Sequence, residues 1–174
     1  MKNRLLLPAT FLFLLLAATS ISLIPARSYA QDKQDKKAQQ QALIRNLVDS
    51  QNYVFVAQSA TSLGGRTRQL TPDYDLKVSK TTVISSLPYY GRAYTAPMDP
   101  SQNGLNFTTK DFVYTAAEGK KGGWDISIKP RDNRDIQQVS LSVSADGYTT
   151  LQVISNSRQM MSFYGYIRAP KLKK

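Results

Sequence analysis

The chain of 174 residues contains no cysteine, no histidine and a single tryptophan. Because cysteine is absent, no disulfide bond can form and no lipid can be attached to an N-terminal cysteine, so packing alone must stabilise the fold. Histidine is the commonest general base near neutral pH and the commonest metal ligand. The absence of both residue types predicts a protein that is not an enzyme and that has no metal site and no cofactor.

Carboxylates offer little catalytic potential either. The whole chain has 12 acidic residues, and Glu118 is the sole glutamate. Glycoside hydrolysis would need a pair of carboxylates, one of them held in apolar surroundings that raise its pKa. Asp111 and Asp125 alternate with apolar residues, so in a simple sheet they point toward water. Asp132 and Asp135 only weakly suggest calcium, since they lack the glycine and the bidentate glutamate of a calcium loop.

Residues 1–30 have the pattern of a cleaved secretory signal. Lys2 and Arg4 precede an uncharged apolar stretch, Leu5–Ile24, and Ser28-Tyr29-Ala30 supplies the small residues that a signal peptidase requires. An uncleaved anchor is the alternative, because about 20 apolar residues can span a bilayer. The hydroxyl side chains and prolines in this stretch favour cleavage. We therefore expect a periplasmic or secreted protein with no membrane span after cleavage.

Beyond the signal, the composition indicates one domain with polar ends. Residues 31–41 are polar and low in complexity, which predicts a flexible lead. Residues 42–170 are numerous enough to bury the core of a single β-rich domain, and residues 171–174 form a basic tail. The formal net charge of +11 is spread along the chain. This distribution is typical of solvated charge, and it does not predict binding to nucleic acid.

The hydrophobic period changes from that of a helix to that of strands. The helical stripe consists of Leu43, Ile44, Leu47 and Val48. From Tyr53 onward, apolar and polar residues alternate over about eight segments, as in antiparallel strands with one face on a core. A glycine-rich stretch at 118–123 and Asp146-Gly147 supply hairpin turns. The sequence predicts a mainly β fold, a barrel or two layers, behind one short N-terminal helix.

Several short motifs resemble those of a known family. They are NYVF (52–55), LPYYGRAY (87–94), GGW (122–124), SRQ (157–159) and SFYG (162–165). In this order, over residues 42–167, they resemble the bacterial family called domain of unknown function 4251. The resemblance implies an export signal, an origin among Bacteroidetes and a lipocalin-like β-barrel. The family name assigns no activity.

Tyrosines and arginines of these motifs are the candidate binding residues. The candidate rim of the barrel consists of Tyr89, Tyr90, Arg92, Tyr94, Arg158 and Tyr164. Tyrosine rings stack on sugars or apolar rings, and a guanidinium pairs with carboxylate or phosphate. The structural alternative is that the tyrosines pack over a barrel end with Arg92 lying across them as a cation–π partner.

Two classes of function follow from this pattern. The leading hypothesis is a non-catalytic binding module that holds a small amphiphile or a glycan, with the candidate rim at the mouth of the barrel. The alternative is a protein–protein interaction module of the cell envelope, in which exposed tyrosines and arginines form the hot spot. A hydrolase is the third and weakest hypothesis. A hollow barrel would support the first hypothesis, and a filled barrel with an aromatic patch would support the second.

Overall fold

The computed structural model describes residues 27–94 and 104–171 of the chain. The hydrophobic stretch of the predicted signal and the last residues of the predicted basic tail lie outside this range. The described elements are α1 (Arg27–Asp49), β1 (Tyr53–Ser62), β2 (Thr67–Gln69), β3 (Asp75–Val78), β4 (Val83–Leu87), β5 (Leu105–Thr109), β6 (Phe112–Glu118), a 3₁₀ turn (Lys120–Gly122), β7 (Trp124–Pro130), β8 (Ile136–Val143), β9 (Tyr148–Ser155) and β10 (Met161–Arg168). No helix among these elements is long and apolar enough to cross a membrane.

Helix α1 is longer than the apolar stripe predicts. It begins at Arg27 and so includes residues 31–41, for which we expected a flexible lead. Glutamine, lysine and alanine are good helix formers, and no glycine or proline interrupts this stretch, so the helix can propagate through it. Near its C-terminal end the helix buries Ile44, Leu47 and Val48 in the hydrophobic core, as their spacing predicts.

The helix ends in a Schellman arrangement that turns the chain into β1. Gln51 takes a left-handed backbone conformation with a φ of 52°. Its N–H donates to the Val48 carbonyl at 3.1 Å, and the N–H of Asn52 donates to the Leu47 carbonyl at 3.2 Å. These bonds satisfy two carbonyls that have no partner within the helix. The left-handed position is occupied by a glutamine, although glycine would adopt it with less strain.

Nine strands form one antiparallel ladder in the order β5-β4-β3-β1-β10-β9-β8-β7-β6, and β2 pairs with the end of β1. β5 and β6 stand at the two ends of this ladder, yet only Lys110 and Asp111 separate them in the chain. Because alternate strands of an antiparallel ladder point the same way, β5 and β6 run in one direction. They are two halves of one bent strand, which nearly closes the ladder into a barrel. Counted in this way, about eight strands surround the core, which confirms the predicted β-barrel fold.

The bend in this strand is held by the carboxylate of Asp132, from the connection between β7 and β8. It accepts hydrogen bonds from the Thr109 hydroxyl and from the N–H groups of Lys110 (2.9 Å) and Asp111 (3.3 Å). The bonds from Thr109 and Lys110 hold the pKa of Asp132 below its ordinary value. The N–H of Arg131 adds a bond of 2.8 Å to the Asp111 carbonyl. Asp132, a weak calcium candidate in the sequence, therefore helps to close the barrel.

Side chains fill the interior of the barrel. Tyr53, Phe55 and Phe163 are fully buried and belong to one continuous hydrophobic cluster. Ile44 of α1 joins this cluster at the end where β1 begins, which we call the helix end. Leu87 of β4 joins it at the opposite end, which we call the loop end and which carries segments 88–94 and 156–160. A ligand of the described part of the protein would therefore have to bind on the surface of the barrel.

Candidate functional site

The LPYYGRAY motif leaves β4 at the loop end and pairs there with the SRQ motif. Ala93 and Arg158 form an antiparallel bridge. The N–H of Tyr94 donates to the Ser157 carbonyl at 2.7 Å, and the N–H of Gln159 donates to the Arg92 carbonyl at 3.0 Å. The structure thus brings together two motifs that lie far apart in the sequence. Their backbones form a short ribbon across the loop end.

Arg158 and Tyr89 make their polar contacts within the protein. Arg158 is only 9% exposed, its Nη1 donates to the Gly104 carbonyl at 2.7 Å, and its guanidinium lies 5.3 Å from the centre of the Tyr89 ring. The Tyr89 hydroxyl donates to the Arg92 carbonyl at 2.5 Å. Burial raises the pKa of Tyr89. The polar groups of both residues are therefore held by neighbouring groups of the loop end.

Asp135 supports the same ribbon from the start of β8. Its carboxylate accepts hydrogen bonds from the Ser155 hydroxyl at 2.8 Å, the Ser157 hydroxyl at 2.5 Å and the Ser157 N–H at 3.1 Å. Burial raises the pKa of Asp135, but the hydrogen bonds from Ser157 and Ser155 outweigh it and hold the pKa below its ordinary value. This carboxylate is therefore ionised and occupied by hydroxyl and amide donors.

The other loop-end candidates face solvent. Tyr90, Arg92 and Tyr94 are all exposed. The guanidinium of Arg68, on β2, lies 4.8 Å from the centre of the Tyr90 ring. Tyr90 therefore takes its cation–π partner from β2, whereas the sequence suggests Arg92 for this role. These residues form a projecting surface at the loop end.

Tyr164 is separate from the other five candidates. It lies on the outer face of β10, between the buried residues Phe163 and Gly165, and is 49% exposed. Its ring stacks on that of Tyr148, which is 54% exposed, with centroids 6.3 Å apart and planes within 5° of parallel. The candidate residues of the sequence therefore divide between the loop end and the outer wall of the barrel.

The stacked tyrosines border a cleft of about 370 Å³ on the outer wall. Four of its residues stand side by side across four strands, because the register pairs Asp125 with Ser142, Ser142 with Thr150, and Thr150 with Tyr164. Trp124, at the start of β7, and Lys120 contribute to the same cleft. The cleft forms because small hydroxyl side chains lie between larger aromatic ones.

A second cleft, of about 390 Å³, continues the first along the wall and shares Asp125, Ser142 and Thr150 with it. It is lined by a further row in which Ser127 pairs with Ser140 and Ser140 pairs with Gln152. We call the two clefts together the outer groove. It has a floor of hydroxyl and amide side chains and an aromatic end formed by Trp124, Tyr148 and Tyr164.

A third cleft, of about 520 Å³, lies between α1 and the glycine-rich hairpin 118–123. Gln41 and Arg45 line it from the helix, and Arg45 pairs with Glu118 across 3.5 Å. Trp124 lines both this cleft and the outer groove. Among residues 27–94 and 104–171 there is no group of three or more carboxylates placed to hold a metal ion.

Sequence reasoning did not identify the outer groove. The alternation of serines with apolar residues along β8 places Ser140 and Ser142 on the outer face, and the same rule applies to Thr150 on β9. The pattern does not reveal which strands are neighbours or in which register, and the groove exists only through that register.

Comparison with known proteins places this architecture in a family. Residues 35–167 match the family model described as domain of unknown function (DUF4251). A crystal structure of a DUF4251 family protein from Bacteroides eggerthii DSM 20697 is similar in fold, with a TM-score of 0.57 and 15% identity over 78% of this chain and 91% of that chain. No functionally curated protein matches the sequence. On the match across most of its length, the chain belongs to the DUF4251 family.

Proposed function

We propose that this protein is an exported, non-catalytic binding module that holds a glycan in the outer groove. The filled interior does not support a ligand inside the barrel, but the exposed rings border a cleft and do not form a flat patch for a protein partner. The observation that carries the proposal is the parallel, half-exposed ring pair of Tyr148 and Tyr164 beside a row of hydroxyl groups. The C–H faces of a sugar pack on aromatic rings, and its hydroxyls need donors and acceptors nearby. Serine and threonine hydroxyls supply both.

The groove suits an extended polar ligand better than an amphiphile. An acyl chain needs an enclosed apolar cavity, whereas side chains occupy the interior of the barrel. The two clefts of the groove share residues and run along the strands of the outer wall. An oligosaccharide could place one sugar ring on the tyrosines and its next units over the rows of Ser142 and Ser140.

The carboxylate count supports binding without hydrolysis. Asp125 is the sole carboxylate among the lining residues of the two clefts, and glycoside hydrolysis uses two. In the proposed complex, Asp125 accepts hydrogen bonds from sugar hydroxyls.

The single tryptophan permits a direct test. Because Trp124 lines the groove and is the only tryptophan in the chain, its fluorescence responds to a ligand bound there. Trp124 also lines the cleft beside α1, and the tyrosine variants described next distinguish the two sites. We expect a saturable change in emission when protein recovered after export is titrated with oligosaccharides, both neutral (cello-, xylo- and manno-oligosaccharides) and acidic (oligogalacturonate). If no member of this panel changes the emission, the proposal is wrong.

Matched tyrosine variants locate the binding. Tyr148→Ala and Tyr164→Ala should each weaken binding about fivefold, since an aromatic contact contributes about 1 kcal/mol beyond buried area. Tyr94→Ala is the control, because it removes an exposed tyrosine at the loop end. Equal loss in all three variants, or none in the two groove variants, would place the ligand elsewhere.

A further inference from the structure

The loop end carries an apolar and basic surface that the glycan proposal does not use. Leu63 is 62% exposed and Tyr94 is 70% exposed, more than any other large hydrophobic side chain among the described residues. Three exposed arginines and a second tyrosine accompany them. We call this surface the rim patch, and it consists of Leu63, Arg66, Arg68, Tyr90, Arg92 and Tyr94.

The position of Leu63 follows from the length of β1. The first part of this strand pairs with β3, and its last part pairs only with β2 and β10. The turn that follows closes with a hydrogen bond of 2.9 Å from the Gly65 N–H to the Ser62 carbonyl. Gly65 provides the positive φ of 78° that this tight turn needs. Leu63 thus stands at the tip of a hairpin at the loop end.

The arginines of the patch have no carboxylate partner among the described residues. Ion pairs are formed instead by Arg45, Lys77 and Arg131, which lie outside the patch. The nearby carboxylate of Asp135 is occupied by serine donors. Stacking of Arg68 on the ring of Tyr90 leaves the edges of its guanidinium available to an anion. Within the described residues, the patch therefore combines protruding apolar groups with positive charge that no carboxylate pairs with.

We propose that the rim patch binds the surface of an anionic lipid membrane. Arginines near such a surface are attracted to its negative potential, while tyrosine and leucine side chains insert at the boundary between headgroups and acyl chains. Leu63 and Tyr94 are the most exposed large hydrophobic side chains of the described residues, so the patch projects outward and suits a flat partner. A single leucine at a hairpin tip is shaped for insertion into lipid.

Co-sedimentation with vesicles tests this docking. Protein recovered after export should bind vesicles of phosphatidylcholine mixed with phosphatidylglycerol, and binding should fall when sodium chloride is raised. It should bind pure phosphatidylcholine vesicles much more weakly. Any N-terminal hydrophobic segment that remains is the same in every variant, so differences between variants report on the patch. Equal binding to both kinds of vesicle would overturn the proposal.

Charge-matched variants separate the patch from the overall charge. The triple variant Arg66→Gln, Arg68→Gln, Arg92→Gln should bind the mixed vesicles about 100-fold more weakly, at about fivefold for each arginine. The control is Lys80→Gln, Lys129→Gln, Lys171→Gln, which removes the same charge from exposed positions outside the patch and should change binding far less. If the control loses as much as the arginine variant, the patch is not the docking surface.

Two further experiments test the role of Leu63 and the alternative of an acidic protein partner. Leu63→Asp should lower vesicle binding about tenfold while it leaves Trp124 emission and the glycan titration unchanged. Glycan binding and vesicle binding can thus fail independently. Immobilised poly-glutamate is the probe for an acidic protein partner. If it retains the protein under conditions in which the protein does not bind the mixed vesicles, the membrane proposal is overturned.

Discussion

A methyl group at Gly165 would collide with the neighbouring strand. A Cβ at this position would lie 2.0 Å from the Val56 carbonyl oxygen and 3.1 Å from Cε2 of Phe55. Ordinary contact begins at 3.4 Å. Strands β1 and β10 would therefore have to separate by roughly 1.4 Å beside the Ala57–Gly165 pair, at the position where the register of these strands shifts.

The cost of Gly165→Ala can be worked out from this separation. Overpacking a close-packed site costs about 1–3 kcal/mol, and one stretched ladder hydrogen bond costs about 1 kcal/mol. We expect the free energy of unfolding to fall by about 2–4 kcal/mol. Urea titration followed by far-ultraviolet circular dichroism and by Trp124 fluorescence measures it.

Gly64 provides the matched control for this substitution. The nearest heavy atom to a Cβ at Gly64 is the Ser62 Oγ, at 3.9 Å. Gly64→Ala should therefore leave stability within about 0.5 kcal/mol of the parent, or raise it slightly by restricting the unfolded chain. The reasoning is refuted if Gly165→Ala unfolds at the same urea concentration as Gly64→Ala.

Three further predictions concern the helix end, the ribbon and the bend. Gln51→Gly should raise the free energy of unfolding by about 1 kcal/mol, because glycine adopts the left-handed conformation without a Cβ penalty; a lower Tm would contradict this account of the cap. Asp135 has a folded pKa below its unfolded value, so its stabilisation is present above the unfolded pKa and is lost as pH falls through the folded pKa. Asp135→Asn should flatten the acid side of the stability profile, and an unchanged slope would count against the serine network. Asp132→Ala should speed amide exchange at Lys110 and Asp111, and unchanged exchange would show that the bend does not need this carboxylate.

Alternation was sufficient to predict most strands because one face of each strand meets the core. It could not predict the bent strand, since Lys110 and Asp111 look like an ordinary turn between two separate strands. A tertiary contact prevents such a turn. The Asp132 carboxylate accepts hydrogen bonds from the N–H groups of both residues, and the chain continues in the same direction. The long N-terminal half of α1 was missed because low complexity and high polarity are as typical of disorder as of helix.

The candidate site could be predicted only in part. Residues adjacent in the LPYYGRAY motif stay together at the loop end, so proximity in sequence was a good guide there. Residue type alone groups Tyr164 with them, yet its partner is Tyr148 on the next strand. The row from Asp125 to Tyr164 depends on three registers, each set by packing of the opposite, buried face.

The motifs that mark the family contain two physically different kinds of residue. Gly123 belongs to the framework, because a Cβ there would lie 2.4 Å from the Val143 carbonyl oxygen. Tyr89 and Arg158 belong to it because they contact each other and donate hydrogen bonds to the backbone carbonyls of Arg92 and Gly104. Tyr164 is different: half of its ring faces solvent, and an exposed aromatic side chain contributes little to the core. Its contribution has to be sought at the surface, where its ring stacks on that of Tyr148. The framework residues therefore hold neighbouring backbone segments in place, and the exposed rings are where binding should be tested.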